Sequence, residues 1–232
     1  MNVFYEKDVI RGQKSLSEEE AKHCSQVLRH KSGDEISILD GSGGIHHCVL
    51  DHVSKKSCTF EVKESIIIPA RKFSIHLAIA PTKSTDRMEW MIEKLCEIGA
   101  EELTFLETHH SERRKLRIDR MEKKAISAMK QSKNPFLLKI NELTGIEKFF
   151  QSDGADNKLI AHVDSANKYL AEQISASKRI SILIGPEGDF SQKEITSAKE
   201  KGYIPVSLGN NTLRTETAGL VACCMINTVN KF

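Results

Sequence analysis

Long hydrophobic runs are missing from this 232-residue sequence. No apolar stretch approaches the roughly 18 residues that a membrane-spanning helix needs, which excludes an ordinary membrane-spanning protein. The first residues, MNVFYEKD, contain no hydrophobic core of a secretory signal, so we expect a cytoplasmic protein with no membrane partner. Hydrophobic residues at 39% and charged residues at 28% are typical of a folded chain and argue against disorder.

Paired cysteine motifs are also missing. The six cysteines include no Cys-x-x-Cys, and adjacent cysteines such as Cys223 and Cys224 rarely bridge each other. This predicts reduced thiols that mostly fill the core. The nine histidines include two His-His pairs, but neither pair has metal-ligand spacing to cysteines or carboxylates, so we expect no metal site.

The common nucleotide-binding and hydrolase motifs are absent. No Gly-x-Gly-x-x-Gly follows the first strand predicted in the α/β region, where the sequence is Ala80-Pro81-Thr82-Lys83-Ser84. Neither a Walker A motif nor a Gly-x-Ser-x-Gly elbow occurs. Nucleotide hydrolysis and Ser-His-Asp chemistry are therefore disfavoured.

Residues 1–70 predict a small β-barrel domain. Short segments rich in β-formers alternate with turn residues, and a helical stretch, Ser17–Leu28, precedes them. Ser17 and Glu20 stand at capping-box spacing at the start of this helix. The predicted strands are Glu35–Asp40, Ile45–Val53 and Ser57–Val62.

Residues 71–232 predict an α/β domain. Apolar strand candidates alternate with amphipathic helical patterns, and this order favours a mainly parallel sheet. The predicted strands are Phe73–Ala80, Glu102–Thr108, Lys158–Val163, Ile180–Ile184 and Ile204–Leu208. The predicted helices are Asp86–Ile98, Asp119–Ser132, Ser191–Lys201 and Thr215–Lys231.

Two segments near the end of the sequence have the features of ligand-binding loops. Gly185–Phe190 follows one predicted strand, and Leu208–Ala218 follows the next. Because α/β proteins bind small ligands at the carboxyl ends of parallel strands, we predict one composite pocket. Pro186 and the glycines permit a sharp turn that exposes peptide N–H and C=O groups. The alternative is a plain connection between strand and helix.

Arg214 stands at the start of the last predicted helix, where the helix dipole is positive. A cation is disfavoured there unless an anion accompanies it. The candidate anions are Glu216, a ligand carboxylate, an RNA phosphate or charge that develops on a substrate. Pairing with Glu216 alone would make Arg214 a simple surface residue.

Positive charge is concentrated in residues 109–139, although the net charge of the chain is only +2. Ten lysines and arginines occur there against three acids, which gives a local charge of +7. This basic block is a candidate surface for nucleic-acid phosphates. A solvated helix face is the alternative interpretation.

The strand-end segments resemble a known family. They are Ile184-Gly185-Pro186-Glu187-Gly188, Leu208-Gly209 and Leu213-Arg214-Thr215-Glu216-Thr217-Ala218. The family is RsmE, the 16S rRNA (uracil(1498)-N(3))-methyltransferases of the SPOUT superfamily. Further segments resemble it in order: Val27-Leu28-Arg29-His30, Gly33-Asp34, Asp40-Gly41, Lys83, Asp86–Glu89, Glu93–Ala100 and Ser111-Glu112-Arg113. Two segments depart from the family pattern, Lys130–Asn134 and Asn210–Thr212.

The resemblance implies an α/β fold with two domains. Residues 1–70 would form a PUA-like RNA-binding β-barrel, and residues 71–232 a SPOUT methyltransferase domain with a deep trefoil knot. The implied cofactor is S-adenosyl-L-methionine, bound by the second domain. The implied partners are 16S rRNA within the small ribosomal subunit and a second copy of the chain in a homodimer. The implied reaction is methyl transfer to N3 of a specific uridine.

The resemblance also implies roles for individual residues. Arg214 would stabilise negative charge on the uracil, and Glu216 would either orient Arg214 or accept a proton. The implied cofactor-binding residues are Leu183, Ile184, Gly185, Pro186, Glu187, Gly188, Leu208, Gly209, Leu213, Thr217 and Ala218. The candidate RNA-binding residues are Arg29, Lys31, Lys83, Arg87, Arg113, Arg114, Lys124 and Lys133.

Three other functions are compatible with these features of the sequence. The chain resembles SPOUT enzymes closely enough that a tRNA base or a ribose hydroxyl is an alternative target. A non-catalytic RNA-binding or ribosome-assembly factor is a second alternative. A nucleotide-binding α/β protein unrelated to RNA is the third, and the basic block and the predicted barrel disfavour it.

Overall fold

The computed structural model describes residues 2–113, 115–164, 166–175 and 178–230. The chain forms two compact units by internal contacts. Unit 1 comprises residues 1–70 and 126–137, and unit 2 comprises residues 71–125 and 138–232.

Unit 1 is built on a four-stranded sheet. Its elements are β1 (Val3–Tyr5), a 3-10 turn (Val9–Arg11), α1 (Glu18–Lys22), a π-helical turn (His23–Val27), β2 (Glu35–Leu39), β3 (Gly44–Val53) and β4 (Cys58–Ile67). The strands lie in the order β1-β2-β3-β4, with β1 parallel to β2 and the other pairs antiparallel. The three strands predicted for this region are thus present, and β1 adds a fourth that the sequence pattern did not indicate.

The core of unit 1 lies against one face of this sheet. Ile36 and Ile38 on β2 and Leu50 on β3 point into it, as the period of two in a strand requires. Phe4 and Phe60 are fully buried in the same cluster.

The predicted capping box at the start of α1 is wrong. Ser17 is the N-cap residue, but its side chain accepts no capping hydrogen bond. The peptide N–H of Ser17 donates to the carboxylate of Glu6, and the carboxylate of Glu20 binds the ammonium of Lys130. The peptide N–H of Ser17 and the carboxylate of Glu20 would bind each other in a capping box. Each instead has a charged partner elsewhere in unit 1, which gives a stronger hydrogen bond.

Unit 2 is built on a seven-stranded sheet. Its strands are β5 (Ser74–Ile79), β6 (Glu102–Glu107), β7 (Lys139–Gly145), β8 (Asn157–Ala161), β9 (Lys168–Tyr169), β10 (Arg179–Ile184) and β11 (Ile204–Ser207). Its helices are α2 (Thr85–Glu97), the first part of α3 (Ile118–Ser132), α4 (Ile146–Ser152), α5 (Leu170–Gln173), α6 (Gln192–Glu200) and α7 (Thr215–Asn230). The strand order is β7-β6-β5-β10-β8-β11-β9, and all neighbouring strands are parallel.

The α/β prediction is confirmed for this unit. The five predicted strands form β5, β6, β8, β10 and β11, and the four predicted helices form α2, α3, α6 and α7, of which Lys231 lies outside the described residues. The capping box Ser191-x-x-Glu194 at α6 forms in full. The edge strands β7 and β9 were not predicted, because they are partly exposed and lack the continuous apolar run of a buried parallel strand.

Residues 126–137 belong to unit 1 because the end of α3 and the following turn are held there. The peptide N–H of Gly43 donates to the carbonyl of Pro135 at 3.0 Å, and that of Leu137 donates to Gly41 at 3.0 Å. The chain from Asp40 to Gly44 thus clamps this segment through backbone bonds.

The sheet of unit 2 is covered on both faces. Alternate residues of β5 face opposite ways: Ala78 joins a core with α4 and α6, whereas Leu77 and Ile79 contact α7. Gly219 on α7 allows that approach, since a Cβ there would lie 2.9 Å from Cδ1 of Ile79. The start of α7 is therefore fixed closely against the middle of the sheet.

The cysteine prediction is confirmed. All six cysteines lie among the described residues and none forms a disulfide, and all except Cys224 are buried. Burial raises the pKa of Cys48 and of Cys96 to about 12, so these thiols are neutral core residues.

Candidate functional site

The two predicted ligand loops leave the same edge of the parallel sheet. Gly185 follows β10 and Leu208 follows β11, and β8 lies between these two strands. Two strand spacings separate the loops at their bases, about 10 Å. The end of β8, at His162 and Val163, therefore stands between them, at the position where α/β proteins bind small ligands.

The loop after β10 is a tight turn. The peptide N–H of Asp189 donates to the carbonyl of Pro186 at 2.9 Å, and Asp189 has a φ of 58°. The Leu183 and Ile184 side chains are buried below the loop, whereas Glu187 and Gly188 are exposed. Among the described residues, no backbone hydrogen bond uses the peptide N–H of Glu187 or Gly188.

Asp189 joins this loop to two neighbouring strand ends. Its Oδ2 accepts the peptide N–H of Val163 at 2.9 Å, and its carbonyl lies 3.0 Å from Nδ1 of His110. A Cβ on Gly188 would lie 3.3 Å from Cβ of His110, so only glycine fits without displacing that histidine. The loop is thereby fixed from both sides.

The loop after β11 is more open. Gly209 is exposed with a φ of 129°, and its peptide N–H donates to Oγ of Ser207 at 3.2 Å. Leu208 is half-buried, and Asn210 accepts a hydrogen bond from the Tyr169 hydroxyl at 3.1 Å. The conformation of Gly209 is one that side-chain-bearing residues rarely adopt.

Helix α7 begins directly after the second loop. Arg214 is the exposed residue before its first turn, and the Arg214 carbonyl accepts the peptide N–H of Ala218 at 2.8 Å. Within the described part of the chain, no ion pair or hydrogen bond joins the Arg214 guanidinium to another residue. Leu213, Thr217 and Ala218 are half-buried.

Glu216 does not pair with Arg214. Its Oε1 lies 3.6 Å from Nε of Arg87 on α2, and its side chain is almost fully buried. The interpretation of Arg214 as a surface residue neutralised by Glu216 is therefore wrong, because Arg87 takes the place of Arg214 in that ion pair. Arg214 is left available for an anion.

A cleft of about 560 Å³ opens beside the loop after β10. Its lining residues are Lys83, His110, Glu112, Glu187 and Gly188. Lys83 pairs with Glu112 at 2.7 Å, and the hydrogen bond that the Lys83 ammonium donates to the Glu112 carboxylate raises the pKa of Lys83. Positively charged donors and negatively charged acceptors thus lie together in this cleft beside the candidate site.

Sequence reasoning missed three residues of this edge: His110, His162 and Asp189. Nε2 of His162 is buried and has no hydrogen-bond partner among the described residues. Its position directly after β8, a strand that the pattern did predict, was the available signal. Asp189 lies inside the predicted loop Gly185–Phe190, but its bonds to Val163 and His110 join distant parts of the chain and had no signal in the sequence.

The candidate RNA-binding residues are divided between the units. Arg29 and Lys31 in unit 1 are exposed, and Arg29 has a φ of 57°. Lys133 is also exposed in unit 1. Lys83, Arg87, Arg113 and Lys124 lie in unit 2. Arg114 lies outside the described residues.

Much of the basic block is neutralised by acids from other segments. Lys124 pairs with Glu93 at 2.6 Å, and Arg120 pairs with Glu89. Arg113 donates to the carbonyl of Lys83 at 3.0 Å and to Oγ1 of Thr85 at 2.9 Å. Further pairs with acids outside the block are Lys139 with Glu102 and Lys130 with Glu20. Arg117 pairs with Asp119, an acid of the block that the local charge already includes. The local charge counted along the sequence therefore overstates the free positive charge of this surface.

The described residues contain neither a metal-binding cluster nor a membrane-spanning helix. No group of three or more His, Cys, Asp or Glu side chains is placed to hold a metal ion in those parts of the chain. No helix among them is both long and apolar enough to cross a membrane.

Comparison with known families defines the class of protein. A family model described as an RNA methyltransferase domain matches residues 69–227, and one described as an RNA methyltransferase PUA domain matches residues 16–63. The chain is 31% identical over 224 residues to the ribosomal RNA small subunit methyltransferase E of Buchnera aphidicola, which covers 92% of this chain and 87% of the relative. The chain therefore belongs to the ribosomal RNA small subunit methyltransferase E family, the RsmE family that its motifs resemble.

Solved structures support the same family. A probable rRNA-methyltransferase from Porphyromonas gingivalis has a TM-score of 0.92 and 42% identity, covering 100% of this chain and 99% of that chain. The Neisseria gonorrhoeae ribosomal RNA small subunit methyltransferase E, bound to S-adenosyl methionine, has a TM-score of 0.88 and 28% identity. This match covers 98% of this chain and 97% of that chain.

Proposed function

We propose that this protein transfers a methyl group from S-adenosyl-L-methionine to N3 of a specific uridine in 16S rRNA of the small ribosomal subunit. The observation that carries the proposal is the strand edge at β10, β8 and β11, where two backbone-rich loops meet the start of α7. The Neisseria gonorrhoeae relative that is bound to S-adenosyl methionine supports the cofactor. Family membership supports the ribosomal RNA substrate.

The residues at this edge fit the proposed cofactor. The peptide N–H groups of Glu187 and Gly188 have no hydrogen-bond partner in the described chain, and neither has Nε2 of His162. These groups can bind a polar ligand. When bound, S-adenosyl-L-methionine supplies an electrophilic methyl group on a sulfonium. The residues we propose to hold it are Leu183, Ile184, Gly185, Pro186, Glu187, Gly188, Leu208, Gly209, Leu213, Thr217 and Ala218.

Arg214 is proposed as a catalytic residue. N3 of uracil is protonated and weakly nucleophilic at neutral pH, so the reaction must favour loss of its proton and stabilise the charge that appears on the ring. The exposed Arg214 guanidinium has no anionic partner in the described chain and stands at the edge that holds the loops. A ring anion beside it would provide the negative charge that the helix dipole favours.

The RNA is proposed to contact both units. Arg29, Lys31 and Lys133 in unit 1 are exposed cations, and Lys83 and Lys124 contribute from unit 2. Arg113 stabilises the chain near Lys83 by its hydrogen bonds, which limits it to a supporting contact. Arg114 stays in the proposed set on the sequence alone.

The finer description of the fold is also proposed. We propose that residues 1–70 act as a PUA-like β-barrel domain and residues 71–232 as a SPOUT domain. A trefoil knot is supported by the path of the chain, because β10 lies between β5 and β8, and α7 then packs against β5 and α2. The proposed location is the cytoplasm, where the ribosomal substrate would be met.

A homodimer is supported by α7. One face of this helix packs on the sheet, and the other carries a second row of residues at helical spacing around a depression of about 330 Å³. The depression is lined by Ala171, Leu220, Val221, Cys224, Met225, Thr228 and Val229. A helix with apolar residues on both faces is expected to be buried on both. A second copy of the chain would cover the outer face of α7.

Sedimentation and thiol labelling test the dimer. We expect Val221→Glu to convert a dimer into a monomer, whereas Ile10→Glu, at an exposed apolar residue of unit 1, leaves the size unchanged. Cys224 is the exposed thiol, so it should react with a thiol reagent in the monomeric variant and be protected in the wild type. A monomeric wild type at tens of micromolar would contradict the proposal.

The activity is tested by mass spectrometry of rRNA fragments after reaction with small ribosomal subunits. We expect one N3-methyluridine in 16S rRNA. Arg214→Ala should lower turnover by about 100-fold with unchanged cofactor affinity, since it removes one charge-stabilising group. The control is Arg11→Ala, which changes an exposed arginine paired with Asp8. Full turnover in Arg214→Ala would contradict its role, and a methylated tRNA or ribose would contradict the proposed target.

A further inference from the structure

Glu216 is a buried carboxylate with one oxygen left free. Its residue is 5% exposed and lies in the first turn of α7. Oε1 pairs with Arg87, whereas Oε2 is buried and accepts no hydrogen bond from any residue of the described chain. Because a buried polar atom without a partner costs free energy, native proteins rarely leave one. The free oxygen is suited to a donor that arrives with a bound molecule.

The position of Glu216 is set by two packed helices. The Ser84 hydroxyl caps α2 by accepting the peptide N–H of Arg87 at 3.4 Å, and this bond fixes the position of the Arg87 backbone. Helices α2 and α7 are in contact, and a Cβ on Gly219 would lie 3.5 Å from the sulfur of Met91. The positive end of α7 also favours a carboxylate in its first turn. Helices hold a side chain more firmly than loops do.

Resting on the proposed function, we infer that Glu216 accepts the N3 proton of the target uracil and that Arg87 is the positioning residue that orients its carboxylate. The N3–H bond breaks, and the proton passes to Oε2 of Glu216. The N3 electron pair forms the new bond to the methyl carbon, while the carbon–sulfur bond breaks and its electron pair stays on sulfur. A carboxylate and a sulfonium thus become a carboxylic acid and a neutral thioether, so charge balances.

This assignment separates the roles of two arginines. Arg214 is exposed and has no partner among the described residues, so it is free to stabilise charge on the ring. The Arg87 side chain is 44% exposed but ion-paired to Glu216, so its guanidinium is already engaged. The sequence predicted that Arg87 contacts an RNA phosphate, and we propose a positioning role for it instead.

Glu216→Gln tests the proton acceptor, because it keeps the shape of the side chain and removes its basicity. We expect single-turnover methylation of small ribosomal subunits to fall by about 100- to 10,000-fold, the range for a lost general base. Cofactor affinity and RNA affinity should stay within about twofold of wild type. Glu216→Asp, which keeps a carboxylate, should retain more activity than Glu216→Gln. Equal rates for the two variants, or a rate for Glu216→Gln near that of wild type, would overturn the assignment.

A substrate change gives an independent readout. Subunits assembled with 16S rRNA that contains 5-fluorouridine carry a more acidic N3–H, because fluorine withdraws electrons from the ring. Such a substrate depends less on a base, so its rate relative to uridine should rise more for Glu216→Gln than for wild type. An equal rise in both enzymes would show that Glu216 acts in some other way.

Arg87→Ala and Arg87→Lys test positioning by a readout that activity does not supply. If Arg87 only orients Glu216, Arg87→Ala lowers kcat, leaves KM for subunits unchanged and keeps the salt dependence of RNA binding. Arg87→Lys should recover part of kcat. A contact to an RNA phosphate would instead reduce the salt slope by about 0.7–0.9 and raise KM, which would overturn the positioning role. Arg11→Ala is the matched control.

The design distinguishes two kinds of failure. If the wild-type protein forms no N3-methyluridine, the proposed function itself is contradicted. If the wild-type protein forms it, and the Glu216→Gln variant has a normal melting temperature and a normal rate, only the inference about Glu216 is contradicted.

Discussion

Replacing Gly209 by alanine tests whether the loop after β11 holds the cofactor through its backbone. A Cβ at this position would meet no atom of the described residues within 4 Å, so the substitution creates no clash. The φ of 129°, however, lies in a region that only glycine occupies comfortably, and holding another residue there costs about 1–3 kcal/mol. If cofactor binding requires this conformation, that cost weakens affinity by about 5- to 150-fold.

The matched control is Gly145→Ala. Gly145 also has no atom within 4 Å of a prospective Cβ, but its φ of −60° and ψ of 138° suit any residue. Alanine there should leave cofactor affinity unchanged and stabilise the fold by about 0.4–1 kcal/mol, because it restricts the unfolded chain. The two variants thus differ in backbone conformation and not in crowding.

Isothermal titration with S-adenosyl-L-methionine measures both variants directly. We expect weaker binding for Gly209→Ala and only a small change of melting temperature, because the loop is exposed and relaxes outside the core. An affinity for Gly209→Ala within about twofold of wild type would refute the reasoning. In that case the loop either tolerates alanine or takes no part in holding the cofactor.

Two further predictions concern stability. Tyr203→Phe should destabilise the fold by about 2 kcal/mol and lower the melting temperature by about 4–8 °C, because it removes the buried hydrogen bond from the Tyr203 hydroxyl to Asp153 at 2.5 Å; Tyr169→Phe, at an exposed hydroxyl, should change it by less than about 1 °C, and equal effects of the two would contradict this account. For Glu102, burial alone would raise the carboxyl pKa, but hydrogen bonds from Lys139 and Asn141 and nearby positive charges lower it from 4.5 to about 2. A depressed pKa contributes stability above about pH 4.5 that is lost as the pH falls toward 2, so Glu102→Gln should lose less melting temperature than wild type between pH 5 and 3, by an amount equivalent to about 1 kcal/mol after allowance for solvent screening. A parallel decline in both proteins would contradict the role of Glu102.

Much of the fold could be predicted because local pattern and tertiary environment agree. The strands β5 and β10 are mostly apolar and almost fully buried, as a strand covered on both faces requires, and the amphipathic face of α2 marks the side that packs. Edge strands such as β7 carry no such signal, since partial exposure permits a mixed composition. The capping box at Ser17 failed because charged partners distant in sequence compete for both groups.

The candidate site, like the fold, could be predicted from the sequence only in part. The glycine-containing loops could be found from the sequence because sharp turns after apolar strands leave a local signature. The pairing of Glu216 with Arg87 and the bonds from Asp189 to Val163 and His110 could not, because they join residues far apart along the chain. The basic block shows the same limit, since its neutralising acids come from α2, β6 and α1 and escape a count along the sequence.

The sequence by itself determined that this is an α/β chain with a strand-rich first region, reduced and mostly buried cysteines, and the motifs of the RsmE family. Those properties depend on residue types and short-range spacing, which the sequence displays directly. The tertiary structure alone decided which strand ends lie side by side, which arginine neutralises Glu216 and which stays free, and which face of α7 is left uncovered. These depend on strand order and helix packing, which bring together residues that no local pattern relates.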